Sequence, residues 1–245
     1  MVCTRNCSRF DPKEYERLAF PNLGGKLVSE VELSDVMDFS GKTPTSLILE
    51  VGVGTGRVLR RLASRSKTLV GIDSDPKMLK GLEASLDKHP AGSEIELIIA
   101  SGQHLPFRPS VFSTVVCIRV LRYFEMPRKA IADMCYVLQP RGRLVLEFAN
   151  LLRPETLSQI FGYFREGEFY PRLFDRRTIE GLVASQGMRI EHVKGWHKVP
   201  VEVLNAINNR VLLRFFLHLD SALNRVSPPD FMSHSIILCA VKNKN

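Results

Sequence analysis

Between residues 46 and 150 the hydrophobic pattern changes period repeatedly. Short apolar runs at 46–51, 68–73, 94–100, 111–118 and 143–148 predict strands. Between them apolar residues recur at helical spacing. Residues 57–64 predict one helix, and 76–86 a second, with Met78, Leu79, Leu82 and Leu86 on one face and Pro76 in its first turn. Residues 128–138 predict a third, and Pro140-Arg141-Gly142 a turn before the fifth strand. The 111–118 run is nearly all apolar, as a central strand covered on both faces requires. Alternating strand and helix point to parallel βαβ units, an α/β fold.

Beyond residue 150 the pattern differs. Asp175 or Arg176 opens a helix to about Ser185, Gly187 ends it, and residues 188–193 and 233–241 read as strands. Residues 161–174 concentrate Phe161, Tyr163, Phe164, Phe169, Tyr170 and Phe174. After a fifth strand such an insert falls over the carboxyl edge of the sheet, as a cap on an apolar substrate or as the core of a small helical flap. Residues 201–225 are helical in pattern and unusually apolar. Leu204, Ile207, Val211, Leu212, Phe215, Leu219 and Leu223 form a stripe that Leu213, Phe216 and Leu217 widen, with Arg210, Arg214 and Arg225 along it. Core packing or a dimer seam is the default reading. The sharper one is peripheral membrane contact through 201–225.

At 245 residues the chain suits one α/β domain with additions. It is 44% hydrophobic and 24% charged, ordinary for a globular protein. The net charge of +8 directs attention to acidic partners, but the cations are spread without a block. A general surface bias is therefore the reading, and no nucleic-acid partner is expected. Cys117 and Cys239 sit in apolar runs as small hydrophobes, and Cys3 and Cys7 have no second pair to complete a metal site. No metal is expected. Wide cysteine spacing, an N-terminus without an apolar core, and no run of about 18 apolar residues predict a cytoplasmic protein.

The chemistry concentrates in Glu50-Val51-Gly52-Val53-Gly54-Thr55-Gly56-Arg57. Alternate glycines between a strand and a helix suggest a loop held against a small molecule. The spacing is not G-x-G-x-x-G, because Arg57 or Leu59 stands where the third glycine belongs, and no Walker loop is present. Glu50 at the strand end would repel a pyrophosphate and attract a cation. S-adenosylmethionine, with an ammonium, a sulfonium and no phosphate, fits that charge. Asp73 closes the second strand, where an acid accepts from ribose hydroxyls; the competing role is capping of the Pro76 helix, which Ser74 or Asp75 can also perform.

These residues resemble the class I S-adenosylmethionine-dependent methyltransferases, whose first motif is an acid followed by G-x-G-x-G. Gln103-His104-Leu105-Pro106-Phe107 resembles the family's turn after the third strand, and Val137 to Leu144 its "V-L-x-P-G-G-x-L" turn before the fifth. The nearest group is that around the ubiquinone and menaquinone biosynthesis C-methyltransferases. The resemblance implies a Rossmann-like, seven-stranded, mostly parallel sheet with helices on both faces and a helical cap. It implies residues 1–45 as an N-terminal helical lid, 46–150 as the cofactor-binding core, and 151–245 as the rest of the domain, with cap inserts at 151–175 and 199–230.

It further implies S-adenosylmethionine bound by Glu50, Gly52, Gly54, Gly56, Asp73, Ser74, Ser101, Gly102 and Arg119. Ser101 departs from the family's adenine-reading aspartate, and Gln103 is placed to compensate. Ser113 replaces an acid with structural consequence only. A base is needed only if the acceptor loses a proton early. Candidates are His104, Tyr15, Tyr123, His197 and Glu147, with His104 and Tyr123 preferred because both follow strands at the cofactor edge. The acceptor expected is small and hydrophobic: quinone-, phenol- or lipid-like. A catalytically degenerate binding or scaffold protein is the alternative, and an RNA or protein methyltransferase the third reading.

Overall fold

A computed structural model describes residues 11–20, 22–41, 45–86, 93–153 and 172–244. Cys3, Cys7 and the rings from Phe161 to Tyr170 lie outside the described residues. Seven strands form one sheet: β1 (Thr45–Val51), β2 (Ser66–Asp73), β3 (Glu94–Ile99), β4 (Phe112–Cys117), β5 (Leu138–Ala149), β6 (Met188–Trp196) and β7 (Ser235–Lys242). Their order is β3-β2-β1-β4-β5-β7-β6. The first five run parallel, and β7 is antiparallel to both neighbours. This is the Rossmann-like sheet that the resemblance implies.

The helices are α1 (Pro12–Ala19), α2 (Leu23–Phe39), α3 (Arg57–Leu62), α4 (Pro76–Ser85), α5 (Pro127–Val137), α6 (Arg176–Ser185), α7 (Val201–Ala206) and α8 (Arg210–Val226). Strand period 2 sorts the core into two layers. Leu49, Val115, Leu144 and Leu146 face Ile131 and Met134 of α5 and Ile179 and Val183 of α6. Ile48, Val116 and Val145 face Leu33 and Val36 of α2, Leu59 and Leu62 of α3, and Leu79 and Leu82 of α4. Each such side chain contributes about 1.5–3 kcal/mol by leaving water. A third cluster joins Val28 of α2, Leu204 of α7 and Leu213 of α8.

Three predicted elements change form. The turn expected at Pro140–Gly142 is absorbed into β5 as a register shift against β4, with Arg141 at φ 63°. Flanking pairing on both sides holds it in the sheet. The single helix expected over 201–225 is two, because Asn209 caps α8 by accepting from the Val211 and Leu212 amides at 2.9 and 3.1 Å. β6 extends to Trp196, since β7 pairs along it to Ser235.

Candidate active site at the carboxyl edge of the sheet

β1 and β4 are neighbours, yet the chain leaves them for opposite sides of the sheet. Ligands of open α/β sheets bind in the crevice at such a switch point. Here a cavity of about 230 Å³ opens between the ends of β1, β2, β3 and β4.

The loop after β1 is bent by three left-handed glycines, Gly52, Gly54 and Gly56, at φ 77°, 51° and 81°. The Gly52 and Val53 amides both donate to the Ile72 carbonyl, at 2.8 and 3.0 Å, which pins the loop to the end of β2. A side chain on Gly54 would meet no protein atom within 4 Å, and Gly54 lines the cavity. Gly56 is different. It caps α3, is buried, and a Cβ there would lie 2.3 Å from Leu82 Cδ1. It is a packing glycine against α4 and does not line the cavity, unlike the cofactor contact expected of it.

Asp73 fastens the same loop: its Oδ2 accepts from the Gly54 amide and its Oδ1 from the Asp75 amide, both at 2.9 Å. The capping of α4 falls to Asp75, whose Oδ1 accepts from the Lys77 amide at 2.9 Å. Asp73 thus faces the cavity, its carboxylate held by backbone amides with acceptor capacity left over. Burial pushes its carboxyl up, against hydrogen bonds from the Asp75, Gly54 and Ser74 amides that favour the charged form. Glu50 is buried in the cavity wall with Oε2 unpartnered among the described residues. Burial pushes Glu50 well above the ordinary carboxylate range; Arg57 opposes this and Asp73 reinforces it. Ser74, Ser101, Gly102 and Gln103 line the same space. The Ser101 hydroxyl accepts from the Gln103 amide at 3.3 Å, while Gln103 Oε1 accepts from the Met126 amide.

The opposite wall comes from Tyr15 and Phe20 at the N-terminal helices and from Arg119, Val120, Tyr123 and Phe124 after β4. Arg119, at φ 62°, donates its amide to Glu147 Oε2 at 2.7 Å and its guanidinium to Glu32. Glu32 also meets Arg57 at 3.0 Å and His197 Nε2 at 3.1 Å. Burial alone would raise Glu32, but Arg119, His197 and Arg57 outweigh it and hold the carboxyl well below its usual range. Phe20 lies against both guanidinium groups, 4.8 Å from Arg57 and 5.0 Å from Arg119.

Of the candidate bases, Tyr15 and Tyr123 line the cavity. Desolvation raises the Tyr123 phenol, with the Tyr15 hydroxyl adding to it, so it stays a proton donor at neutral pH. His104 is exposed and lines no part of the cavity; the chain turns at 101–104, where its amide donates to the Ser101 carbonyl. Glu147 is committed to Arg122, at 2.8 Å, and to the Arg119 amide. His197 sits behind the wall on Glu32. Sequence reasoning missed Glu32 and Phe20. Glu32 stands in a helix with little amphipathic pattern and carries no local motif.

The residues fit S-adenosylmethionine. A buried Glu50 carboxylate oxygen, unpartnered among the described residues, suits a cation, Asp73 can accept from hydroxyls, and an open face at Gly54 admits close approach. The lining sets Glu50, Asp73, Asp75 and Glu125 against Arg57 and Arg119, which also share Glu32, an acidic balance of the wrong sign for a pyrophosphate.

Sheet order, glycine bend and the two acids resemble those of the class I S-adenosylmethionine-dependent methyltransferase fold. Residues 49–146 match the family described as "Methyltransferase domain". Among curated proteins the chain is similar to the ubiquinone/menaquinone biosynthesis C-methyltransferase of Ectopseudomonas mendocina, 35% identical over 130 residues, covering 51% of this chain and 50% of the relative. The corresponding protein of Wigglesworthia glossinidia brevipalpis is 30% identical over 125 residues, covering 49% and 50%. The chain spans about half the length of these relatives. In fold it is similar to magnesium protoporphyrin IX methyltransferase from Synechocystis, solved with S-adenosylmethionine bound, at TM-score 0.63 and 17% identity over 97% of this chain and 93% of that one. A methyltransferase structure from Listeria monocytogenes matches at TM-score 0.66 and 13% identity, over 89% and 100%.

Proposed function

We propose that this protein transfers the methyl group of S-adenosylmethionine to a small, hydrophobic acceptor of quinone, phenol or lipid type. The observation that carries the reading is the Glu50 carboxylate, buried with an oxygen unpartnered among the described residues, beside a glycine bend and a second acid. The cofactor, when bound, supplies a methyl on a sulfonium, whose leaving group needs no activation. Glu50 would hold the ammonium end, directly or through the loop. Asp73 would accept from the ribose hydroxyls, and Ser74, Ser101, Gly102 and Gln103 would border the adenosine, with Gln103 fixed by Met126. Arg119 would act through the wall it stiffens, since Glu32 and Glu147 already engage it.

Tyr15, Phe20, Tyr123 and Phe124 make the remaining wall aromatic, which favours a flat apolar acceptor. Tyr123, keeping its proton, would orient an acceptor oxygen as a hydrogen-bond donor. Positioning at near-attack distance would then do most of the catalysis, with water kept out by the rings. The names of the C-methyltransferase relatives support the quinone-like end of the range, and the exposed apolar face of α8 suits an acceptor drawn from lipid.

The test is transfer of labelled methyl from S-adenosylmethionine into a quinone and lipid extract. Label entering the organic phase, and none with Gly54→Val, is the expected result. Cofactor binding without product on any acceptor would leave a binding protein on a methyltransferase fold.

A further inference from the structure

We propose that α8 docks this protein onto an anionic membrane surface, apolar face down. Leu213 and Asp220 point inward, and Asp220 accepts from the Val199 amide at 2.9 Å. On the outer side Val211, Leu212, Phe215, Leu219, Leu223 and Val226 are all exposed, Phe215 by 62% and Val211 by 79%. At 3.6 residues per turn these six fall in one arc, and the only other residue within it is Ala222. A continuous apolar strip on a water-exposed helix requires a partner.

Charge decides which partner. His218, Arg225 and Arg214 lie along one border of the strip, with Arg210 farther round on the same flank, all exposed. None of the three arginines forms an ion pair with a described residue. The helix's only acid is the buried Asp220. An apolar strip with a cationic border and no exposed acid is the pattern of a helix lying in the interface of an anionic bilayer. A second copy of the chain fits poorly. Two helices paired antiparallel about a two-fold axis would set one arginine border against the other. No described helix is long and apolar enough to cross a membrane.

The placement connects this face to the cavity. α8 runs into the loop before β7, and Ser235 pairs with Ala149 at the carboxyl end of β5, the edge at which the cavity opens. Phe231 and Met232 of that loop are exposed, as are Leu151 and Leu152 after β5. Asn150 ties the two segments by donating to the Asp230 and Ser233 carbonyls at 2.7 and 2.8 Å. An acceptor dissolved in lipid would leave the bilayer beside the methyl-transfer site. This purpose rests on the proposed acceptor class; the docking does not.

Co-sedimentation of the full chain with vesicles tests it, comparing phosphatidylglycerol and phosphatidylcholine in equal parts with phosphatidylcholine alone. Binding is expected to the first, to weaken with salt, and to be at least tenfold weaker on the second. The double variant F215Q/L219Q should partition at least tenfold less. The triple variant R210Q/R214Q/R225Q should lose the lipid preference, each arginine being worth roughly fivefold. Both should titrate S-adenosylhomocysteine like the parent, which shows that they fold. The proposal is overturned if the parent sediments with neither vesicle, if F215Q/L219Q binds as well as the parent, or if the parent is a dimer that F215Q/L219Q dissociates and vesicles do not capture. If S-adenosylhomocysteine fails to bind the parent while vesicles capture it, the cofactor reading fails and the docking stands.

Discussion

Gly54 and Asp73 show how single side chains decide what the cavity admits. Gly54 sits at φ 51° with open space where a Cβ would project. Valine there adds both backbone strain and bulk at the ligand face. Gly54→Val is expected to abolish binding of S-adenosylhomocysteine in calorimetric titration while the unfolding transition remains cooperative. Asp73 accepts from the amides of Gly54 and Asp75, so its loss would remove the proposed ligand contact and also unfasten the loop. Asp73→Ala should weaken that binding by about 1.5–3 kcal/mol, the worth of hydrogen bonds to a charged group. An unchanged affinity would remove Asp73 from the site. These positions were legible in the sequence because the glycine bend and the acid ending β2 are local signals. Gly56 was not separable from them, because only the packing of α4 puts Leu82 where its side chain would be.

At the scale of elements, α2 and α8 escaped or outran the sequence pattern. Glu32, Asp35 and Ser29 face inward on α2, so its apolar residues trace no clean stripe. Its acids are instead matched across the fold. Glu32 meets Arg57, Arg119 and His197, and Asp35 accepts from Lys194 Nζ and Trp196 Nε1, both at 2.7 Å. Removing a buried acid strands its cations. Glu32→Gln should cost about 3 kcal/mol in urea unfolding, the lower end of that range because the guanidinium groups keep some exposure. Loss of this latch between α2 and the loop after β4 should weaken S-adenosylhomocysteine binding as well. In α8 the break before Arg210 depends on one cap, and Asn209→Ala is expected to cost about 1 kcal/mol, read by the same unfolding measurement. The Asn208-Asn209 pair was the available signal for that break; the apolar stripe running across it concealed it.

For the whole molecule, the cavity couples stability to pH. Burial lifts the carboxyls of Glu50 and Asp73 above their unfolded values. Their contribution is therefore full below the ordinary carboxylate range and is lost as pH rises through the raised values. The ligand-free protein should lose stability over that interval. The ammonium of a bound ligand favours the ionised carboxylates, so binding should release protons and tighten as pH rises across the same interval. The melting-temperature gain from saturating S-adenosylhomocysteine should accordingly be larger at pH 7 than at pH 5. A gain independent of pH would mean that neither acid meets the ligand's charge.

The amino-acid sequence alone determined the parallel βαβ core, the glycine bend, and the acids at the ends of β1 and β2. Each is written in neighbouring residues, as period, turn chemistry or strand-end charge. Tertiary structure alone decided that His104 lies away from the cavity and that Glu32 gathers two arginines and a histidine. It also decided that Gly56 serves packing and that α8 keeps one apolar face exposed. Those outcomes depend on how helices and loops distant in the chain are oriented against the sheet, and no local pattern encodes that orientation.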